Sequence, residues 1–464
     1  MNSVRRCLSV LVKALTFMLL VFTLSSCGKV WVQFNLRNNG GGGSGGASNS
    51  SNILSRQWTI EDGTAGGSAY GGGITLDSSG NIYVTGNTSG AGIDGNTLIG
   101  DQDLFITKYN SSGTRQWTVE DGTPSIAMVY GYGIATDTVG NIYVSGSTSS
   151  GGLDGNTATG LQDVIITKYN SSGSRQWTVE DGTSGGVALG QSIALDSSNN
   201  VYVTGATWFK GYDGNTLKGS RDFIITKYNS SGVHQWTVED GAVHGDAWGN
   251  GIVADSSGNV YVTGTTSGAG IDGNALIGSC DYFITKYNSS GSRQWTVEDG
   301  TAGGNTEGYG ITLDSSGNIY VTGYTTGSGI DGHTLIGTMD LFITKYNSSG
   351  SRQWTVEDGT AGGSAYGGGI TLDSSGNIYV TGNTSGAGID GHALQGNRDL
   401  FITKYSSTGT RLSTIEDGTS GGLADGTGIV VDSSGDPYVS GYTYGAGLDG
   451  HTPNGNQDFI LTKY

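Results

Sequence analysis

The chain has 464 residues, of which 86 are glycine and 3 are proline, and 13 % are charged. Its formal net charge of −18 at pH 7 excludes the basic surface that nucleic-acid binding requires. The glycines follow no period of three, which excludes a collagen-like helix, and short runs of Thr, Tyr, Val and Ile bounded by Gly, Asn, Asp and Ser indicate an all-β fold.

The first 26 residues have the features of a bacterial secretory signal. Arg5, Arg6 and Lys13 accompany an apolar run over 14–24, and small residues follow before Cys27. The sequence Leu-Ser-Ser-Cys ending at Cys27 resembles the lipobox of bacterial lipoproteins, which implies cleavage before Cys27 and a lipid on its sulfur. A plain signal peptide or an anchor helix is the alternative, although the apolar run is shorter than the roughly 20 residues that cross a bilayer.

Residues 27–53 are predicted to tether the lipid to a folded domain. The stretch NNGGGGSGGASNSS over 38–51 is too poor in apolar side chains to bury a core, and a chain of this composition is flexible. We therefore expect a lipid-anchored protein of the bacterial cell envelope, at the outer membrane or the cell surface, with the membrane as its first partner.

From residue 54 to the C-terminus the chain repeats one unit seven times. The tripeptide Thr-Lys-Tyr recurs every 59 or 60 residues, and the ten residues DSSGNIYVTG occur letter for letter at 77–86, 314–323 and 373–382. A fixed period of this length is the signature of a repeat architecture. We predict a single repeat domain over 54–464.

Each unit contains four strand-like runs, called A, B, C and D in chain order. In the first unit they are predicted at Gly73–Asp77, Asn81–Gly86, Asp103–Tyr109 and Arg115–Asp121. Short turns of Asn, Ser and Gly join A to B and C to D, which predicts an antiparallel meander. The B–C and D–A connections are longer and rich in glycine, and in a meander they leave from the same end of the sheet.

Seven such sheets must bury their faces against one another, and radial packing into a β-propeller achieves this. A linear solenoid is the alternative, but it would need atypical capping units at its ends. The repeat domain begins with a D-type strand at Arg56–Asp62 and stops after a C-type strand at Phe459–Tyr464. We therefore predict an all-β, seven-bladed β-propeller with four-stranded antiparallel blades, closed by an N-terminal strand that completes the last blade.

The units resemble the bacterial β-propeller repeat, SBBP, which has an A strand ending in Asp, a Ser-Gly-Asn turn, a Tyr-Val-Thr-Gly strand and an Asp-aromatic strand. The resemblance covers nearly all of the chain after the tether. It implies a propeller, commonly in secreted or surface proteins, and it brings no catalytic residues and no single activity. The chain departs from the usual unit in the Val-Glu-Asp-Gly-Thr that follows the tryptophan and in an inserted Ile-Asp-Gly-Asn loop.

Most of the negative charge lies at four positions fixed by the repeat, which are Asp77, Asp94, Asp103 and Asp121 in the first unit. Aspartates beside Gly and Asn usually accept hydrogen bonds from turn backbone. Structural Ca²⁺ is the alternative, but the spacing does not match the twelve-residue calcium loop. The sequence therefore predicts no metal site and no cofactor.

Near-equal units offer no asymmetric pair of a general acid and a general base, and no nucleophile motif occurs in the sequence. We therefore predict no catalytic residue. The alternative is a polysaccharide-directed hydrolase or lyase with its site at the mouth of the propeller channel. Glu307, the only glutamate outside the repeat positions, is the candidate residue for that alternative.

The largest departures from the repeat fall in loops of the third and fourth units, ATWFKGYDG and GAVHGDAWGN. Clustered exposed aromatic side chains mark a binding surface, whereas packing under long loops is the alternative. We predict a monomeric, non-enzymatic propeller that binds a protein or glycan on its long-loop face and binds no nucleic acid. The predicted ligand-binding residues are Trp208, Phe209, Lys210, Tyr212, His244 and Trp248.

Overall fold

The computed structural model describes residues 54–124, 127–149 and 151–464. The predicted signal segment, the tether and Cys27 lie outside these residues. The described chain consists of short β-strands joined by turns and loops, with a few single-turn 3₁₀ segments. Within it, no helix has both the length and the apolar character needed to span a membrane.

In chain order the strands are β1 (Trp58–Asp62), β2 (Ala69–Leu76), β3 (Ile82–Thr88), β4 (Asp103–Tyr109), β5 (Arg115–Asp121), β6 (Met128–Thr136), β7 (Ile142–Ser149), β8 (Gln162–Tyr169), β9 (Arg175–Asp181), β10 (Val187–Leu195), β11 (Val201–Trp208), β12 (Arg221–Tyr228), β13 (His234–Asp240), β14 (Ala247–Ala254), β15 (Val260–Ser267), β16 (Cys280–Tyr287), β17 (Arg293–Asp299), β18 (Thr306–Leu313), β19 (Ile319–Thr325), β20 (Asp340–Tyr346), β21 (Arg352–Asp358), β22 (Ala365–Leu372), β23 (Ile378–Thr384), β24 (Asp399–Tyr405), β25 (Arg411–Asp417), β26 (Leu423–Val431), β27 (Pro437–Tyr444) and β28 (Gln457–Lys463). The 3₁₀ segments are Leu153–Gly155, Tyr212–Gly214, Ile389–Gly391 and Leu448–Gly450.

The prediction of four-stranded antiparallel sheets is confirmed. Strands β2 to β5 pair in chain order, and the same order recurs in β14 to β17, β18 to β21 and β22 to β25. The sheets of β6 to β9 and β10 to β13 are joined by one parallel bridge, between Gln162 and Val187. The last sheet has the order β26-β27-β28-β1, in which Trp58 of β1 lies opposite Lys463 of β28.

The A–B turn of each unit is organised by one aspartate. Asp77 Oδ1 accepts hydrogen bonds from the backbone N–H groups of Ser79 and Asn81, both at 2.9 Å. Its Oδ2 accepts the side-chain amide of Asn81 at 2.7 Å and the hydroxyl of Tyr83 at 2.9 Å. Gly80 completes the turn with a φ of +78°, a conformation that favours glycine. These contacts explain why DSSGNIYVTG keeps its spacing through the chain.

Aspartates at the ends of D strands link neighbouring units. Asp121 accepts hydrogen bonds from the Tyr169 hydroxyl and from Arg175 Nη1, both at 2.7 Å and both from the next unit. The start of the described chain supplies the same contact at the other end of the repeat, because Arg56 pairs with Asp417. Much of the fixed negative charge therefore belongs to the scaffold, as the sequence predicts.

Strand A of each unit, which we call the innermost strand, lies against strand A of the neighbouring units. The strands β2, β6, β10, β14, β18, β22 and β26 contact one another in succession, and β26 also contacts β2. These strands begin earlier than predicted: β2 starts at Ala69 rather than Gly73, and its pairing with β3 is bulged between Gly71 and Ile74. The stretch AYGGG carries little intrinsic strand preference, so pairing and packing rather than local sequence extend the strand.

Removing residues 54–62 should lower the melting temperature and promote aggregation, because the deletion bares the edge of β28 and removes Trp58 from the core. Trp58 packs edge-on against Tyr438, with ring centroids 5.9 Å apart. Loss of a packed tryptophan alone costs about 3–5 kcal/mol of unfolding free energy. Circular dichroism during heating measures the effect. Deletion of residues 28–50 is the control and should leave the melting temperature unchanged; equal values for the two deletions would contradict the role of β1.

Candidate functional site

The start of each innermost strand presents one side chain at a common edge, which we call the inner rim. A glycine on strand B makes room for it: a Cβ at Gly86 would overlap the carbonyl oxygen of Tyr70, and the equivalent overlap recurs in every unit. The absent Cβ lets the bulged strand A approach strand B closely. The inner-rim residues, each followed by a glycine, are Tyr70, Tyr130, Leu189, Trp248, Glu307, Tyr366 and Asp425.

The units also differ at two positions that neighbour the inner rim. The first lies opposite the rim residue on strand B and is occupied by Asn87, Ser147, Ala206, Thr265, Tyr324, Asn383 and Tyr442. The second lies at or just before the start of strand C and is occupied by Gln102, Gln162, Arg221, Cys280, Met339, Arg398 and Gln457. Because the scaffold is nearly the same in all units, the fold does not require these differences, and functional side chains are expected among them.

Aromatic rings meet along the inner rim. The rings of Tyr70 and Tyr442 have centroids 4.5 Å apart, although they come from opposite ends of the repeat. Tyr366 lies 4.9 Å from Tyr309 and 5.6 Å from Tyr324 by the same measure. These contacts cross the boundaries between neighbouring units, and Tyr309, Tyr366 and Tyr442 are buried in them.

Two carboxylates lie among these rings. Arg398 Nη2 pairs with Asp425 Oδ2 at 2.5 Å, and the Tyr442 hydroxyl donates to the same oxygen. Glu307 accepts a hydrogen bond from the Tyr309 hydroxyl at 2.6 Å. Burial raises the pKa of Glu307, and its tyrosine hydrogen bonds only partly oppose this effect. The inner rim therefore holds two different carboxylates. Asp425 is paired with an arginine, whereas no cation is among the groups that shift the pKa of Glu307.

The structure brings three of the predicted ligand-binding residues together. The ring of Trp208 has its centroid 5.8 Å from Trp248 and 6.5 Å from Phe209. The guanidinium carbon of Arg221 lies 4.5 Å from the Trp248 ring and 5.0 Å from the Trp208 ring. The sequence analysis missed Arg221, and the signal that could have found it is its difference from the glutamine of other units.

Two of the predicted residues do not belong to an exposed surface, contrary to the prediction: Trp248 is 8 % exposed, and Tyr212 is completely buried. It occupies the core position that Ile93 fills in the first unit. Its hydroxyl lies in the electrostatic environment of Asp181 and Tyr228, where the next unit has His234 instead of the usual arginine. Burial raises the pKa of Asp181, and the hydrogen bond from the Tyr228 hydroxyl, at 2.8 Å, opposes that rise. Tyr212 is thus a core residue.

Phe209, Lys210 and His244 are exposed, as predicted. Phe209 and His244 have φ values of +68° and +58°, in the left-handed region that non-glycine residues rarely adopt. Most other units carry glycine at these two positions, for example Gly268 with φ +82° and Gly303 with φ +72°. Bulky side chains held in a strained backbone are a feature of functional sites.

The loop turns beside the inner rim are held by glutamates of strand D. Glu120 Oε2 accepts the backbone N–H of Ile93 at 3.2 Å, and burial raises the pKa of Glu120 to about 7. Four other units repeat this raised value of about 7 at Glu180, Glu239, Glu298 and Glu416. In the described part of the chain, no group of three or more His, Cys, Asp and Glu side chains is arranged to hold a metal ion.

Six segments match the family model of the beta-propeller repeat: residues 57–94, 116–154, 176–213, 235–272, 294–331 and 353–390. The chain belongs to the beta-propeller repeat family. The matched segments run from strand D through strands A and B of the following unit into its B–C loop, so each one contains an inner-rim residue. The resemblance inferred from the sequence is therefore confirmed.

Two relatives are larger than this beta-propeller repeat protein. It is 25 % identical over 435 residues to the regulatory protein FlaEY of Caulobacter vibrioides, covering 82 % of this chain and 42 % of the relative. It is 23 % identical over 485 residues to an uncharacterized WD repeat-containing protein of Acanthamoeba polyphaga mimivirus, covering 79 % of this chain and 35 % of the relative. The chain thus spans less than half the length of these two relatives. Among solved structures, polysaccharide lyase Uly1 resembles it in fold alone, with a TM-score of 0.48 and 11 % identity. The match covers 94 % of this chain and 96 % of the lyase.

Replacing the two strained residues by glycine should stabilise the protein. Phe209→Gly and His244→Gly each remove a side chain from a left-handed conformation, which is worth about 1 kcal/mol of unfolding free energy per site. Urea denaturation of each variant measures the change. Lys210→Gly is the matched control, because Lys210 lies next to Phe209 without a positive φ, and it should be neutral or destabilising. Destabilisation by both test variants would show that packing, not function, retains these side chains.

Proposed function

We propose that the seven units close into a seven-bladed β-propeller, with the inner rim at one mouth of its central channel. Contacts between the first and last units support this arrangement. Thr427 Oγ1 lies 2.9 Å from the carbonyl oxygens of Gly71 and of Gly72, to which it can donate. The pairing of β1 with β28 supports it as well, since one sheet then contains both ends of the repeat.

The function that we propose is non-enzymatic binding of a glycan at this mouth. The observation that carries the proposal is the concentration of unit-to-unit differences at the inner rim, where they supply aromatic rings, amides, carboxylates and arginines. Aromatic rings stack on the apolar faces of sugar rings, and the polar groups exchange hydrogen bonds with hydroxyls. A protein partner would require roughly 800 Å² of matching surface, far more than one side chain per innermost strand provides.

The binding surface would extend from the inner rim onto the long-loop face. Trp248 belongs to the rim, Trp208 packs beside it, and Phe209 continues the aromatic row outward with 56 % of its surface exposed. Lys210 and His244 add exposed polar groups at the edge of this row. A glycan chain lying across the mouth would contact both regions.

A second candidate function is glycan cleavage at the same mouth, and Glu307 is the observation that favours it. A carboxyl whose pKa is raised by burial can act as a general acid, and the Tyr309 hydroxyl is already hydrogen-bonded to it. The two candidates differ in one measurable outcome, the appearance of cleaved product from a glycan that binds. Product formation that disappears in Glu307→Gln, with binding retained, would favour the enzyme.

We also propose that the domain is held at the bacterial cell envelope by a lipid on Cys27. The sequence Leu-Ser-Ser-Cys and the glycine-rich composition of 38–51 support this location, because a linker of such composition would let the domain reach ligands away from the membrane. Several acyl chains on one residue would make the attachment stable, since one chain alone gives only marginal binding.

The full-length protein should bind a subset of glycans on an array, and Trp208→Ala should weaken that binding by at least about 1 kcal/mol. The physical reason is the loss of a stacking surface beside the inner rim. Calorimetric titration with a glycan found on the array measures the affinity. Val139→Ala is the control, because Val139 is an exposed apolar residue in an A–B turn, at the other end of a sheet. Unchanged affinity with a lower melting temperature for Trp208→Ala would assign that residue to packing.

Metabolic labelling with a fatty-acid probe should mark the wild-type protein and not the Cys27→Ala variant. The reason is that the thiol of Cys27 is the predicted attachment point for lipid. A Cys7→Ala variant serves as the control and should keep the label, because that cysteine lies within the predicted signal segment. Label that persists after Cys27→Ala would refute the anchor.

A further inference from the structure

Arg221 and Arg398 occupy the same position in two different units. Each forms a parallel backbone bridge to the following unit, two residues before that unit's inner-rim residue. That residue is Trp248 next to Arg221 and Asp425 next to Arg398. The backbone therefore presents both guanidinium groups to the same place on the neighbouring unit.

The two arginines have different partners at that place. Arg398 meets a carboxylate at 2.5 Å, and the side chain of Asp425 is completely buried in the contact. Arg221 meets the ring of Trp248 instead, and its nearest ion-pair partner in the described chain is Asp246, 4.0 Å away. The side chain of Asp246 remains 36 % exposed, and its 4.0 Å separation from Arg221 is longer than the 2.5 Å contact between Arg398 and Asp425. One arginine thus has a built-in carboxylate and the other lacks it.

Two donors at this place have no hydrogen-bond acceptor in the described chain, Arg221 Nε and the indole Nε1 of Trp248. Arg398 Nε also lacks an acceptor. The surroundings of Arg221 therefore differ from those of Arg398 in two respects: they lack the close carboxylate, and they contain an indole N–H. Burial lowers the pKa of Arg221, and Asp246 opposes that effect only in part. A buried cation without a close anion is costly, and an anion that arrives with a ligand would remove that cost.

The two tryptophans fix the geometry of this cation. Guanidinium groups are attracted to aromatic faces within about 6 Å, and both ring contacts of Arg221 are shorter than that. A guanidinium that is already oriented loses less entropy when it pairs with a planar carboxylate. Trp208, the more exposed of the two rings, offers an apolar face on which a sugar can stack, so charge recognition and stacking coincide.

We propose that Arg221, together with Trp208 and Trp248, binds the carboxylate of a uronic acid residue in an acidic glycan. The contact between Arg398 and Asp425 shows, within this chain, how an arginine at this position pairs with a carboxylate. This inference rests on the proposed glycan-binding function and specifies the class of glycan. The formal charge of −18 repels an acidic glycan at long range and is screened by salt, whereas the contact of Arg221 with a bound carboxylate is local.

The test is calorimetric titration of the full-length protein with oligogalacturonate, oligoglucuronate and oligomannuronate. Each is compared with its carboxyl-reduced form, which keeps the linkage and the ring but replaces the carboxylate by a neutral group. At least one oligouronate should bind about tenfold or more tightly than its reduced form, because a charged hydrogen-bonded pair is lost on reduction. Raising the salt concentration should weaken the binding of the acidic oligosaccharide and leave the binding of its reduced form nearly unaffected.

Three variants assign the preference to this site. Arg221→Gln should abolish the preference for the acidic form, and the fold should tolerate the change because Gln102 occupies this position in the first unit. Trp248→Asp should also abolish it, since the new carboxylate would pair with Arg221 as Asp425 pairs with Arg398. The double variant Arg398→Gln, Asp425→Asn removes the paired counterpart and should keep the preference. Circular dichroism establishes whether each variant is folded. If Trp248→Asp does not fold, Arg221→Gln alone decides the test.

Equal affinity for acidic and reduced oligosaccharides would overturn this inference and leave the proposed glycan binding intact. Retention of the full preference in Arg221→Gln would overturn it in the same way. Binding of none of the oligosaccharides, acidic or reduced, while neutral glycans on the array do bind would also overturn it. Absence of binding to every glycan would overturn both the inference and the proposed function.

Discussion

The close approach of the innermost strand to strand B is the constraint on which the inner rim depends. The glycine of Tyr-Val-Thr-Gly lies directly against the backbone carbonyl of the rim residue, and a single Cβ there would force the two strands apart. A bulge in strand A follows this contact directly and shifts the register of the pairing between strands A and B. The strand-B glycine is therefore the same in every unit, whereas the rim residue that it accommodates varies. The same backbone geometry presents a different side chain in each unit.

The remaining fixed residues serve the scaffold. Asp77 organises its turn, Asp121 joins two units, and Glu120 holds a loop, and each of these roles recurs in the other units. Side chains that are committed in this way cannot also contact a ligand without loss of stability. A repeated scaffold thus leaves few positions at which function can be placed, and the inner rim and the irregular loops are those positions.

The third and fourth units combine several departures from the repeat. His234 replaces an arginine, and Tyr212 fills the core position of Ile93 in the first unit, which accounts for one aromatic residue in the irregular loop. Phe209 and His244 replace glycines at a cost in backbone strain. Arg221 lies against two tryptophans where the equivalent Arg398 has a carboxylate. Packing explains the first of these departures, whereas nothing in the scaffold requires the strained residues or the arginine.

Sequence alone determined the repeat, its period and the positions of strands C and D, because periodicity and turn residues are local properties of the chain. It also identified Trp208, Phe209 and Trp248 as departures from the repeat. It did not determine where strand A begins, since AYGGG becomes a strand only through pairing with β3 and contact with neighbouring units. For the same reason it missed the inner rim, and it could not separate the buried Tyr212 from the exposed Phe209. Those distinctions depend on which side chains the packing of neighbouring units brings together, and only the tertiary structure decides that.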